Sequence, residues 1–200
     1  MKITIIFLLI LSLSAVPLLA EESPLPDGSF KKGSAEYYDS GHIKKCKLKD
    51  TINIQNIPCK NWIWFHENGK LAQFQLSEKT EIQGIMVPPG STVFKREDGS
   101  LEHCWFSKDV MVQGYPCNGG SMKVDTAFHA NGKISCCFLS EATEIQGIPC
   151  QAGVMKPVQF SESGNLMNCS LSQNYIVGEK TFKKGQKLAF DENGNVVSAE

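Results

Sequence analysis

Downstream of residue 20, apolar residues fall in short runs, and Gly or Asn punctuates them every eight to twelve residues. No window of twelve residues there follows the 3.6-residue period of an amphipathic helix, whereas period-two pairs recur, such as Cys104 with Phe106 and Cys169 with Leu171. Period two places both members of a pair on one face of a strand. Val, Ile, Thr and aromatic residues dominate the runs, as strands prefer. The pattern predicts an all-β chain.

The punctuation is itself periodic. Turn-like glycines stand at Gly41, Gly69, Gly99, Gly132, Gly164 and Gly194, separated by 28, 30, 33, 32 and 30 residues. Each follows a turn-prone residue: Ser40, Asn68, Asp98, Asn131, Ser163 or Asn193. Four positions earlier stands Tyr37, Phe65, Phe128, Phe160 or Phe190; in the third copy the aromatic, Phe94, is five earlier, read as one inserted residue. Two positions later stands Ile43, Leu71, Leu101, Ile134, Leu166 or Val196. Asn-Gly or Asp-Gly between apolar flanks predicts a hairpin with a two-residue type I′ turn. A polar stretch then leads to "EIQGI" or a relative of it, with Gly84, Gly114, Gly147 and Gly178, or Asn56 in the first copy. The expected organisation is a 1–20 leader, a 21–33 linker and one 34–200 β-repeat domain. That domain holds five full units of three short strands and a sixth hairpin, as an elongated antiparallel sheet or a solenoid.

Aligned copies give the cysteines a place. Five residues after the turn glycine the copies read Cys46, Phe74, Cys104, Cys137 and Cys169; thirteen further on they read Cys59, Val87, Cys117, Cys150 and Phe182. Three copies carry cysteine at both positions and one carries Phe74 with Val87, so the two positions look like partners. Thirteen residues span two adjacent strands and a loop, whose facing residues come within disulfide reach. The expectation is three bonds, Cys46–Cys59, Cys104–Cys117 and Cys137–Cys150, each worth about 3 kcal/mol by chain entropy. The two left over, Cys136 and Cys169, either join each other, stay free or pair with another molecule.

Residues 1–20, "MKITIIFLLILSLSAVPLLA", have one lysine, an apolar run, Pro17 and a small residue at Ala20. That is the layout of a secretory signal peptide, and eight cysteines beyond it suit an oxidising compartment. Export to the periplasm or outside the cell is expected, with no later run of membrane-spanning length. Without Lys2, 19 basic residues face 21 acidic ones. This balance lacks the basic footprint of a nucleic-acid binder. The local runs Lys44–Lys49 and Lys180–Lys187 read as solvated strand faces.

Candidate chemistry is sparse. No C-x-x-C supports a zinc or redox site, and no G-x-S-x-G, H-E-x-x-H or phosphate-binding glycine loop occurs. His66 and His129 stand three residues before their turn glycines, and with His42 and His103 they read as polar turn-flanking groups. Glu81 and Glu144 are equivalent, but Val110 breaks any carboxylate ladder. No catalytic, cofactor or metal residue is assigned. The aromatics are more telling: Trp62 and Trp64 share a strand face, and Trp105, between Cys104 and Phe106, is expected to point outward as part of a binding surface.

The recurring "FHENGKL", "FHANGKI" and "FDENGNV", with "IQG" beyond, resemble MORN-type repeats. That resemblance implies an elongated antiparallel β array acting in protein or membrane contact rather than catalysis. The leading expectation is therefore an exported, non-enzymatic scaffold that binds a protein or cell-surface component. The alternative is an exported, hydrolase-like enzyme with its site assembled across repeats.

Overall fold

The computed structural model describes residues 25–120 and 124–200; the expected leader lies outside them. In chain order the strands are β1 (Glu36–Tyr37), β2 (Ile43–Lys47), β3 (Ile52–Ile54), β4 (Ile57–Phe65), β5 (Leu71–Leu76), β6 (Thr80–Ile82) and β7 (Ile85–Val87). There follow β8 (Thr92–Lys95), β9 (Leu101–Trp105), β10 (Val110–Val112), β11 (Tyr115–Cys117), β12 (Thr126–Phe128), β13 (Ile134–Phe138) and β14 (Thr143–Ile145). The last are β15 (Ile148–Cys150), β16 (Pro157–Phe160), β17 (Leu166–Ser170), β18 (Tyr175–Val177), β19 (Lys180–Phe182), β20 (Lys187–Phe190) and β21 (Val196–Ala199). The chain is all-β, as the sequence predicts, but a unit has four strands rather than three. Two build a long open sheet in the order β1-β2-β4-β5-β8-β9-β12-β13-β16-β17-β20-β21. The other two form a small hairpin of their own: β6–β7, β10–β11, β14–β15 and β18–β19, with β3 pairing on the start of β4 as the first.

The long sheet is strictly antiparallel, so one residue row can be followed through it. Cys46 faces Ile63, Ile63 faces Phe74, Phe74 faces Val93, and Val93 faces Cys104. Cys104 faces Thr126, Cys137 faces Val158, and Cys169 faces Leu188. All of these are fully buried. A second buried row joins the residues flanking the long-sheet turns: Phe65 with Leu71, Phe128 with Ile134 and Phe160 with Leu166. The small hairpins add Ile82, Ile85, Val87, Val112, Ile145 and Ile148 to the same core. One face of the sheet is thus the core, covered by a layer that each unit supplies for itself. Burying such a side chain stabilises by about 1.5–3 kcal/mol. Ahead of β1, Leu25 is buried and Phe30 bridges to Leu48.

The turns invert the sequence expectation. In the long-sheet hairpins Gly69 N–H donates to His66 O at 2.9 Å and His66 N–H to Lys70 O at 2.8 Å. Gly69 has φ +77°, while Asn68 stays in the ordinary region. This is a three-residue loop, a type I turn followed by a glycine bulge, and not the two-residue type I′ turn. The type I′ turns belong to the small hairpins, where both central residues have positive φ: Gln83 and Gly84 at +48° and +78°, Gln146 and Gly147 at +50° and +81°.

Glutamine is a costly choice for left-handed backbone, and hydrogen bonds offset the cost. Gln146 Nε2–H donates to Gly164 O at 2.9 Å, and its Oε1 accepts from Leu166 N–H at 2.9 Å. Gln113 makes the same pair of bonds with Gly132 and Ile134, and Gln55 with Gly69 and Leu71. Gln83 accepts from Leu101 N–H at 2.8 Å. A primary amide is the neutral side chain that both donates and accepts at this length, so it clamps each small hairpin to the next long-sheet turn. The fifth small hairpin turns at Gly178 and Glu179, has no glutamine, and leaves Ile176 and Val177 exposed.

Successive units are also tied turn to turn. Tyr38 Oη–H donates to Phe65 O at 2.9 Å, and Arg96 to Phe128 O at 2.6 Å. His66 and His129 occupy the same place, each with Nε2 against the carbonyl of the next unit, Lys95 O at 2.8 Å and Phe160 O at 2.9 Å. A carbonyl only accepts, so these rings carry their proton on Nε2.

The third copy carries no inserted residue. Lys95, not Phe94, takes the position of Phe65 and Phe128, paired with Leu101, and Phe94 turns to the other face opposite His103. Burial is the main cause holding the Lys95 ammonium below its ordinary pKa, with the charge of Lys70 lowering it further. A lysine pKa depressed by folding means that the unfolded chain binds more protons, so stability rises with pH through this range.

Two predictions arise from this packing. Gln146→Ala should lower the free energy of urea unfolding by about 1–2 kcal/mol; Gln146→Gly, which loses the same bonds but relieves the positive φ, should cost less than the alanine variant. Lys95→Phe should raise the urea midpoint at pH 7, and its advantage over the parent should shrink as the pH rises toward 10 and the parent's lysine is neutralised.

Candidate functional site: the open face of the sheet

The side chains alternating with the core row point away from the small hairpins. Followed strand by strand they read Lys45, Trp64, Gln73, Phe94, His103, Ala127, Cys136, Gln159, Asn168, Ala189 and Ser198. The first half of this face is aromatic and the second half is small and polar. Beside it run Trp62, opposite Lys47, and Trp105, opposite Thr92. All three tryptophans therefore lie on the face that the core does not use.

The aromatic groups make two clusters. Trp62 and Trp64 have ring centroids 6.1 Å apart, and the Lys45 ammonium stands 5.9 Å from the Trp62 ring and 2.8 Å from Glu36. Two strands away, Phe94 stacks on His103 of the next strand at 3.9 Å with 17° between the planes and meets Trp105 edge-on at 4.6 Å. The Trp105 indole N–H donates to the Asp125 carboxylate. Asp125 also lies 3.8 Å from His103 Nε2, and Glu102 lies 4.0 Å from Nδ1. Gln73 bridges the clusters in register, between Trp64 and Phe94. With strands about 4.8 Å apart, β4 to β9 spans about 14 Å. The result is a strip of aromatic rings, bordered by amides and carboxylates, suited to apolar contact with hydrogen bonding at its rim. On the opposite layer, Met86 and Met111 line a shallow groove with Pro88, Pro89 and Lys108.

The strand register gives each cysteine of an expected pair its own neighbours. Cys46 faces Ile63, whereas Cys59 faces Leu76 and Ile52, so the two cysteines of a unit are not facing neighbours. Cys104 faces Val93 and Thr126, while Cys117 faces Val110 and bridges to Leu139. Cys137 faces Val158, while Cys150 faces Thr143 and bridges to Leu171. The reason is the small hairpin. After the first cysteine the chain leaves the long sheet, and the second cysteine returns at the hairpin's base, beside the following unit. Nor do Cys136 and Cys169 share a face: Cys136 lies in the outer row, partly exposed, and Cys169 lies in the core. Burial pushes the thiol pKa of Cys46 up to about 11, and those of Cys59 and Cys104 to about 12, leaving them protonated at neutral pH.

Among the described residues, no group of three or more His, Cys, Asp or Glu side chains is arranged to hold a metal ion, and no helix is long and apolar enough to cross a membrane. Glu81 and Glu144 each occupy the middle of a small-hairpin strand, opposite Met86 and Pro149. Of the open-face cluster, the sequence reading gave Phe94 and His103 turn-flanking roles and did not single out Asp125. His103 stands two residues from Trp105, a spacing that puts both on one face. Phe94 was hidden by its apparent match to the turn-flanking aromatics.

These features define a class: a tandem β-hairpin repeat array with one covered and one open face. The family model for the MORN repeat variant matches residues 59–73, which run from within β4 through the Gly69 turn into β5. The match supports a MORN-type repeat protein, and such repeats point to a scaffold or binding role. A comparison with curated proteins finds no match.

Trp62 is 38% exposed. If its role is contact with a partner rather than packing, Trp62→Ala should change the free energy of urea unfolding by less than about 1 kcal/mol. Phe74→Ala in the core row should cost about 3–5 kcal/mol.

Proposed function

We propose that this chain is an exported, non-enzymatic scaffold whose open aromatic face docks a protein or surface component of the cell envelope. The observation that carries the reading is the placement of Trp62, Trp64, Phe94 and Trp105 on the one sheet face that the core does not use. Aromatic rings are large apolar groups with little conformational entropy to lose, the kind that anchors interfaces. A fold that already buries a complete core on its other face has no need of them there. The repeat array supplies the rest, a rigid and extended surface built from small units. Export is supported by the apolar leader of residues 1–20 and by eight cysteines beyond it.

All three tryptophans report on the proposed face, so intrinsic fluorescence is a direct probe. The full chain would be titrated with a detergent-solubilised envelope protein fraction and with N-acetylglucosamine hexasaccharide. A saturable shift in emission with at least one probe, weakened tenfold or more by combining Trp62→Ala with Phe94→Ala, is the expected result. Unchanged emission with both probes, or equal affinity in the double variant, would overturn the proposal.

A further inference from the structure

The core row and the small hairpins together assign the cysteines to partners that sequence alignment alone does not reach. At the base of each small hairpin, the returning residue lies beside the next unit's long-sheet strand. Cys117 bridges to Leu139, flanked by hydrogen bonds from Asn118 N–H to Phe138 O at 2.6 Å and from Ser140 N–H to Pro116 O at 2.9 Å. Cys150 bridges to Leu171 in the same way, flanked by Gln151 N–H to Ser170 O at 2.7 Å and Ser172 N–H to Pro149 O at 2.8 Å. Two residues before each of those leucines, on the same face, stands a cysteine: Cys137 and Cys169. Period two therefore aims Cys137 at Cys117 and Cys169 at Cys150, as diagonal neighbours within side-chain reach. All four are fully buried. The neighbourhood also shows in the titration: Cys117 pushes the Cys137 thiol up, and Cys169 does the same to Cys150.

The other units explain the substitution pattern. Phe30 bridges to Leu48, which puts it diagonal to Cys46, and Cys59 faces Leu76, which puts it diagonal to Phe74. At these two junctions a cysteine meets a phenylalanine, which fills the space alone; at the Cys117 and Cys150 junctions it meets a second cysteine. The second arrangement leaves two small thiols in a dry site that a bond would close.

We infer that Cys117–Cys137 and Cys150–Cys169 are disulfide sites, each joining the small hairpin of one unit to the long-sheet strand of the next. Each bond forms by exchange with a disulfide co-reactant. One thiolate attacks the co-reactant's sulfur and releases a thiol; the partner thiolate then displaces the second half. Both thiol protons leave, the two electrons reduce the co-reactant, and one intramolecular S–S bond remains. Cys46, Cys59, Cys104 and Cys136 stay as thiols. Such bonds lock unit to unit, which bonds within a unit would not do.

The test is oxidative refolding of the full chain in glutathione disulfide, alkylation of remaining thiols, and peptide mapping by mass spectrometry without reduction. Trypsin with a glutamate-specific protease separates the cysteines concerned, cutting after Lys108, Lys133, Glu141, Glu144 and Glu162. Linked peptides carrying Cys117 with Cys137 and Cys150 with Cys169, and alkylated Cys46, Cys59 and Cys104, are expected. Cys137→Ser should abolish the first link, leave Cys117 alkylated and retain the second link; Cys169→Ser should do the converse, freeing Cys150. The inference fails if the map shows Cys104–Cys117 and Cys137–Cys150, if all eight cysteines are alkylated, or if Cys137→Ser frees Cys150. The readout is independent of where the protein resides and of what its open face binds.

Discussion

A sheet built only of sequential hairpins has two faces, and neither can be buried by the sheet itself. That constraint governs this molecule. A unit of about thirty residues is too small to form a core alone, so each diverts its middle segment into a small hairpin and lays it over one face. The array is in effect a two-layer sandwich in which every unit carries its own piece of the second layer. The glutamine clamps follow from the same need. A two-stranded hairpin is marginal by itself, and fixing its tip to the neighbouring turn holds the apolar residues at its base against the long sheet.

The one-sided core also accounts for the distribution of chemistry. Cysteines, phenylalanines and branched aliphatics share the covered face because it is dry, and burial there keeps Cys46, Cys59 and Cys104 protonated and inert. The open face is free of packing demands, so its composition can vary along the array. It runs from Trp64 and Phe94 near one end to Asn168 and Ser198 at the other. Stability and recognition are thereby assigned to opposite sides of the same strands.

Much of this architecture was legible in local sequence. The glycine spacing located every long-sheet hairpin, and alternation alone turned Trp105 away from Cys104 and Phe106. What the sequence hid depended on contacts between units. Asn-Gly suggested a type I′ turn, but the bulged three-residue loop places Phe65 against Leu71, and the type I′ geometry fell to Gln-Gly pairs that propensity does not favour. The clamp itself joins residues fourteen or more positions apart, from Gln55 to Gly69. Which cysteine meets which is likewise a matter of how one unit seats on the next. Phe94 was misplaced because Lys95 holds a position where its counterparts are aromatic, a substitution visible only through the register with Leu101.

The strands lie across the length of the array, so the hydrogen bonds of the long sheet point along it. A pull on the two ends would load these pairings in series, each junction bearing the whole force. Such a chain of links yields at its weakest member rather than sharing strain evenly. The fifth small hairpin, with no glutamine at its tip and Ile176 and Val177 in solvent, marks where that member stands. Under tension the array would open first toward β20 and β21, leaving the aromatic end intact.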